Sequence, residues 1–145
     1  MKRATRGRHA HAQRGAAVVE FALVALWFIA LFILAVEFGR ALYVWNSAVE
    51  ATRRGARTAA IVAQGNTGAI VADMQVIMWW LNPAQVNVEY SANGNFPAPC
   101  TPGTCRFVRV SIINYTHEVI SPLPIGVLSM PVFSTTLPVE NLGIS

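Results

Sequence analysis

Charged residues are scarce in this sequence, and their scarcity limits what the protein can be. They make up 12% of the 145 residues, about half the share of roughly 25% that is typical of soluble domains. We therefore do not expect an ordinary soluble enzyme. Apolar residues make up 54%, which excludes a disordered chain, because disorder combines low hydrophobicity with high charge. The length allows one domain at most.

Residue types that carry catalysis or bind metals are scarce as well. Asp73 is the single aspartate, and His117 is the single histidine beyond the first 15 residues. The sequence has no glycine-rich phosphate loop and no nucleophile motif. A metal site built on Cys100 and Cys105 would need two more ligands, and His117 alone is at hand. We expect no enzyme, no metal and no cofactor.

The positive charge is concentrated at the N-terminus. Residues 1–15 carry +5 and no acid, whereas the remaining 130 residues sum to −1. A pI near 9.7 would otherwise point to a nucleic-acid or anionic-lipid partner. A basic segment in front of a membrane span instead fixes the N-terminus in the cytoplasm. This topology accounts for the cations, so we expect no nucleic-acid partner.

A long apolar run follows the basic segment directly. Residues 16–36 read AAVVEFALVALWFIALFILAV, with Glu20 as the one charge and no glycine or proline. A helix of that length spans roughly 31 Å, close to the apolar thickness of a bilayer. A cleaved secretory signal would have a shorter apolar region ending in a small-x-small site. We therefore predict a single membrane span.

The helical pattern continues beyond the span. No proline interrupts residues 16–82, and the 3.6-residue period indicates one helix over 16–64, with Gly39 and Gly55 as weak points. Its expected apolar face recurs at steps of three and four and comprises Phe38, Ala41, Leu42, Trp45, Val49, Thr52, Ala56, Ala60 and Ala63. The opposite face carries arginines that form either a solvated face or a docking surface for neighbouring subunits or lipid headgroups: Arg53, Arg54 and Arg57.

The second half of the chain predicts a small domain. Residues 69–81 form a second helix that ends at Asn82-Pro83, and within it Trp79-Trp80 is either an interface anchor or, as we favour, core. A period of two predicts strands at 86–91, 106–116 and 132–137. The fold class is α+β: a leader at 1–15, a transmembrane and stalk helix at 16–64, and an extracytoplasmic domain with a small antiparallel sheet at 65–145.

Two cysteines bracket a predicted turn. Cys100 and Cys105 flank Thr-Pro-Gly-Thr, and Pro102-Gly103 suits the centre of a type II turn. Such a turn brings its flanking residues together, and an extracytoplasmic domain permits oxidation. We predict a disulfide, with a pair of free thiols as the alternative.

The junction between leader and span is the most informative motif. It reads RGAAVVEF, in which Gly15 and Ala16 precede the apolar run and Glu20 and Phe21 lie within it. This junction resembles the class III signal of type IV pilins and pseudopilins. The resemblance implies that a prepilin peptidase cuts between Gly15 and Ala16 and leaves the helix attached. It also implies that Glu20, at position five of the mature chain, neutralises the N-terminal amine of a neighbouring subunit.

The wider pattern is similar to the TadE-like family of the tight-adherence (Tad, or Flp) pilus system. A departure is the end of the span, which lacks a proline common in the family. The residues that carry the resemblance are Gly15, Glu20, Phe21, Glu37, Phe38, Gly39, Arg40, Gly55, Ala56 and Arg57.

The resemblance implies a minor pseudopilin needed for pilus assembly. Its implied location is the bacterial inner membrane, with the C-terminal domain outside the cytoplasm. Its implied partners are a prepilin peptidase, other pilins and pseudopilins, and the inner-membrane assembly platform. The alternatives are an unprocessed single-span protein with an outer binding domain, or a pseudopilin of a type II secretion or competence system.

Overall fold

A single helix organises the molecule. The computed structural model describes residues 6–119 and 127–139, with side chains from residue 15 onward. Its first element, α1 (Arg6–Ile61), has 56 residues and is about 84 Å long. The predicted continuous helix is confirmed, but it begins inside the basic leader and ends three residues before Gln64. Lys2 and Arg3 of the leader, and Pro122 and Pro124 of the proline-rich connection, lie outside the described residues.

The remaining elements form an α+β domain beside the second half of α1. These elements are α2 (Thr67–Gln75), β1 (Val86–Ser91), β2 (Phe107–Ile112), β3 (Thr116–Glu118), β4 (Val127–Ser129) and β5 (Phe133–Pro138). Strand β2 is the centre of a three-stranded antiparallel sheet with the order β1-β2-β5, and β3 pairs with β4 in a separate two-stranded sheet. The predicted fold class is thereby confirmed, whereas the short pair of strands was not anticipated.

The core lies between α1, α2 and one face of the larger sheet. Val108, Val110 and Ile112 of β2 are fully buried, as their alternation in the sequence predicts. The side chains that α1 buries against them are mostly small: Val44, Ser47, Ala48, Ala51, Thr52, Ala56 and Ala59.

The buried face of α1 is rotated from the predicted one. Trp45 remains 43% exposed and Phe38 and Leu42 are also exposed, whereas Ser47, which is not part of the predicted apolar face, is buried. Small side chains allow the helix to approach the sheet closely, which the larger apolar residues on the predicted face would prevent. Size, as well as hydrophobicity, therefore selects the buried face.

The second helix is shorter than predicted. It ends at Gln75 rather than Leu81, and Asn82 instead caps the 3₁₀ turn Pro83–Gln85. β-Branched and aromatic residues after Gln75 are weak helix formers, and the Gln75 side-chain amide donates to the Leu81 carbonyl at 2.9 Å, which holds the turn. Four apolar side chains of the predicted segment nevertheless enter the core, because Ile70, Met74, Met78 and Leu81 are all buried.

Gly55 permits a close approach between α1 and α2. A Cβ at this position would lie 2.7 Å from both Cγ and Sδ of Met74, and 3.3 Å from a methyl group of Val110. Met74 is itself fully buried, so it has little room to move. The glycine that the sequence marks as a weak point of the helix is thus a packing position.

We predict that Gly55→Ala destabilises the folded domain. Alanine improves helix propensity by about 1 kcal/mol, but overpacking a filled core costs roughly 1–3 kcal/mol, so the expected net loss is on the order of 1 kcal/mol. Denaturant unfolding of the detergent-solubilised full chain measures it. Gly39→Ala is the matched control, because a Cβ there meets nothing within 4 Å, and it should not destabilise the chain.

A second comparison tests the cause of that loss. In a Met74→Ala background the cavity accommodates the new methyl group, so Gly55→Ala should no longer be costly. An equal loss in both backgrounds would contradict the proposed clash with Met74.

Candidate functional site

The leader junction lies within the exposed first part of α1. Gly15, Ala16, Glu20 and Phe21 are all exposed, and a Cβ at Gly15 would meet nothing within 4 Å. Glu20 forms no ion pair with any side chain that the structure describes. The structure therefore places the four predicted processing residues on an unpacked helix, with the Gly15–Ala16 bond inside helical backbone.

The span has the length and composition of a membrane helix. Among the described residues, one helix is long and apolar enough to cross a membrane, and its most apolar window has no residue buried by the rest of the protein. Its large side chains project outward, as the 74% exposure of Phe21 illustrates. Such exposed apolar surface is far larger than the patches tolerated on soluble monomers, so lipid or other apolar helices must cover it.

An ion pair marks the end of the apolar run. Arg40 donates from one guanidinium nitrogen to both carboxylate oxygens of Glu37, at 3.0 and 2.9 Å. The two residues are three apart and therefore lie on the same face of α1. Pairing reduces the cost of placing both charges close to an apolar region.

The stalk arginines divide between two roles. The guanidinium of Arg54 contacts Oδ1 of Asp73 in α2 at 2.8 Å, while the Thr58 hydroxyl donates to Oδ2 at 2.6 Å. Arg53 approaches Glu50 only at 3.8 Å, and Arg57 is exposed. Arg54 therefore ties α2 to the stalk, and the other two arginines lie on a solvated face.

Sequence reasoning missed the Arg54–Thr58–Asp73 network. Arg54 and Thr58 are four residues apart on α1 and so share a face, but nothing in the sequence relates them to an aspartate 19 residues away from Arg54. The hydrogen bond from Thr58, together with the hydrogen bond and charge of Arg54, lowers the pKa of Asp73 against the opposing effect of desolvation.

The predicted disulfide joins Cys100 to Cys105 in the structure. The turn between them has the predicted form, because Gly103 has a φ of +88° and the Thr104 amide donates to the Thr101 carbonyl at 3.0 Å. The amide nitrogen of Gln64 lies 3.3 Å from the Cys105 sulfur. The disulfide turn therefore contacts the chain just beyond the end of the stalk.

Polar contacts outside the core link the sheet to the loop after β1. Glu89 on β1 and Arg109 on β2 lie opposite each other in the strand register, with Nε of Arg109 at 2.9 Å from the carboxylate. The guanidinium carbon also lies 4.4 Å from the ring centre of Phe96, within the range of a cation–π contact.

On the other face of the sheet, burial raises the pKa of the Tyr90 hydroxyl.

The described residues hold no group of three or more histidine, cysteine, aspartate or glutamate side chains placed to bind a metal ion. His117 is buried, and its Nε2 atom has no hydrogen-bond partner within the part of the chain that the structure describes.

Together these features define a class of protein: a small α+β domain fixed to the second half of a helix whose first half suits a single-pass membrane protein. Residues 15–57 match the family model of the TadE-like proteins, which confirms the resemblance seen in the sequence. The match covers the span and most of the stalk, and it associates the chain with Tad pili and the membrane. No curated protein and no solved structure matches the chain significantly.

Several residues that carry the resemblance have a packing role in the structure. Glu37 and Arg40 form the ion pair at the end of the span, Gly55 admits Met74, and Ala56 lies in the core. Gly15, Glu20 and Phe21, by contrast, have no packing role in the described structure. Their exposed side of α1 is available for contacts with other molecules.

The Asp73 network predicts a pH-dependent stability. Because the folded-state pKa of Asp73 is lowered, its contribution is fully present above the unfolded-state value of about 4 and is lost as pH falls through the folded-state value. We expect Asp73→Asn to cost roughly 1–2 kcal/mol at neutral pH. The gap between wild type and variant should shrink below about pH 4.

Thermal unfolding from pH 2 to pH 7 measures this gap. Glu50→Gln serves as the control, because its pairing with Arg53 is long and exposed, and such pairs contribute little. A gap that does not change with pH would show that the charge of Asp73 is unimportant.

Proposed function

We propose that this chain is a TadE-like minor pseudopilin that is processed after Gly15 by a prepilin peptidase and acts in assembly or initiation of a Tad/Flp adhesion pilus. The observation that carries the proposal is the position of Glu20. It lies five residues beyond Gly15, exposed and without a described ion-pair partner, on the helix that carries the TadE-like match. The chain's own function on this proposal is binding, and the chemistry is done to it by the peptidase.

The electrostatics of Glu20 support a role between subunits. An acid in an apolar span costs about 2.5–3.5 kcal/mol at mid-bilayer and less near the ends. Cleavage after Gly15 would create an ammonium at Ala16, about 6 Å along the helix axis from Glu20. In a bundle of such helices, a shift of roughly one turn between neighbours brings the carboxylate of one subunit beside the amine of the next, and each charge gains a partner.

The glycine at the junction also supports processing. The scissile bond lies in helical backbone, which a protease has to unwind before its carbonyl becomes accessible. Glycine favours a helix less than alanine does by about 1 kcal/mol, and Gly15 is exposed on α1. A glycine at this point therefore lowers the cost of opening the helix.

The distribution of charge supports an N-terminus in the cytoplasm. The leader carries +5, whereas Arg40 is the one cation in the first 15 residues after the span and is paired with Glu37. Excess basic charge on one side of a span favours retention of that side in the cytoplasm. The domain that follows the stalk would then lie outside the cytoplasm, where its disulfide can form.

Two alternatives make different predictions. An unprocessed single-span protein with an outer binding domain would keep residues 1–15. A pseudopilin of a type II secretion or competence system would be processed in the same way, but loss of the gene would abolish secretion or DNA uptake rather than adhesion pili. The TadE-like match favours the Tad system.

Substitution of Gly15 tests processing. We expect Gly15→Ala to block cleavage when the full chain is co-expressed with a prepilin peptidase, because the added methyl group fills the peptidase's site for glycine and stabilises the helix. Intact-mass measurement and N-terminal sequencing report the result, with Ala16 as the expected new N-terminus. Gly39→Ala, the other open glycine of the same helix, should be cleaved normally. Wild-type chain that stays uncut at 15.7 kDa would refute the pseudopilin proposal.

Substitution of Glu20 separates processing from assembly. Glu20→Ala leaves the scissile bond intact but removes the partner of the new amine, so we expect normal cleavage and a loss of surface pili. Glu20→Asp keeps the charge and should restore piliation at least partly. Electron microscopy and pilin shear assays measure the outcome. Normal piliation by Glu20→Ala would contradict the pairing role.

A further inference from the structure

One end of the α+β domain faces the membrane span. At the far end of the sheet, the Tyr90 hydroxyl lies 3.5 Å from the carbonyl of Ala59, late in α1. At the near end, the ring of Phe133 packs edge-on against Trp45, with 4.9 Å between centroids. Because Phe133 pairs with Ile112, β2 ends at this near end, and the chain continues from there into β3.

An aromatic groove occupies this near end. It lies between the stalk, the turn that carries Trp79 and Trp80, and strand β3. The indole of Trp80 donates to the Tyr115 hydroxyl at 3.1 Å, and its ring lies 6.0 Å from that of Tyr43. Trp79 meets Trp80 edge-on at 5.5 Å, but is 79% exposed. The prediction that both tryptophans belong to the core is therefore wrong for Trp79.

The groove lies close to the level where the bilayer ends. The apolar run ends at Val36, so Arg40 and Tyr43, which line the groove, lie about 6 and 10 Å further along the helix axis. The headgroup layer extends roughly 5–8 Å beyond the hydrocarbon on each side.

Further apolar side chains are exposed at the same end. Strand β4 pairs with β3, which lines the groove, and places Leu128 opposite His117. Val127 and Leu128 are 63% and 52% exposed. Tryptophan and tyrosine are enriched at membrane–water interfaces, where an aromatic ring with one polar atom satisfies both environments. Exposed aliphatic residues beside them add apolar surface to the same end.

We propose that the membrane-proximal end of the domain, formed by Trp79, the Trp80–Tyr115 pair and β4, docks into the phospholipid headgroup layer of the bilayer that α1 crosses. The proposal rests on the membrane span of the proposed function. Lipid is the occupant because continuity of α1 fixes the groove beside the bilayer, and because its exposed side chains are of the interfacial type. The docked domain holds α1 at a fixed depth and tilt relative to the bilayer. A single span without such a contact would be free to change both.

Depth-dependent fluorescence quenching of the full chain tests the docking. The chain is reconstituted in vesicles of phosphatidylethanolamine and phosphatidylglycerol, with or without bromine near the acyl carbonyls. A Trp27→Phe background removes emission from within the span. Trp79→Phe then isolates the signal of Trp79 by difference, and this exposed residue can be replaced without disturbing the core. Trp45→Phe provides the comparison, because Trp45 lies about 13 Å beyond Val36 and packs against Phe133 instead of lining the groove.

We expect brominated lipid to quench most of the Trp79 emission, and aqueous acrylamide to quench it less than that of Trp45. Acrylamide quenching of Trp79 that equals or exceeds that of Trp45, with no effect of bromine, would overturn the docking, because Trp79 is the more exposed of the two in the undocked domain. The docking would also be overturned if the Trp79 emission changed with the protein-to-lipid ratio but not with bromine. A second copy of the chain would then cover the groove. Flotation with the vesicles reports the span separately. A chain that floats with a solvated Trp79 refutes the docking alone, and a chain that does not float refutes the membrane-based function as well.

Discussion

The structure depends on the close packing of one helix against a sheet that the same helix also has to hold beside a membrane. The first part of α1 exposes large apolar side chains, and the second part buries small ones, including Ala48, Ala51, Ala56 and Ala59. Small residues bring the backbone of the stalk close enough for β2 and Met74 to fill the space without voids. One helix thereby changes from a lipid-facing surface to the wall of a protein core within a few turns.

Polar contacts along the stalk fix the position of the domain along α1. Arg54 and Thr58 hold Asp73 of α2, the Thr135 hydroxyl of β5 donates to that of Thr52 at 3.1 Å, and Gln64 approaches the disulfide. Hydrogen bonds of this kind contribute little net stability each, but a misaligned partner is costly to bury. They therefore favour one position of the domain along α1, and that position determines which side chains lie beside the end of the span.

On the proposed function, this arrangement separates the segment that contacts other subunits from the domain that folds around its own core. The TadE-like segment leaves Glu20 and the span free for other membrane helices, while the domain is supported by its own core. On the two proposals, contacts within the membrane come from the first half of α1, and contacts at the membrane surface come from the domain. On the proposed function, removal of the leader leaves a nearly neutral chain, in which Glu20 is the charge that the apolar run retains.

The sequence by itself determined the elements that follow from local pattern: the long helix, the apolar run, the alternating strands and the turn between Cys100 and Cys105. Periodicity, proline positions and turn residues act over a few residues, so they can be read without a structure. The tertiary structure alone decided which face of α1 is buried, where α2 ends, why Gly55 is glycine and that Trp79 is exposed. Those outcomes depend on the sizes of side chains that meet from distant segments of the chain. A core has to be closely packed, and apolar character alone does not decide which side chains fit together.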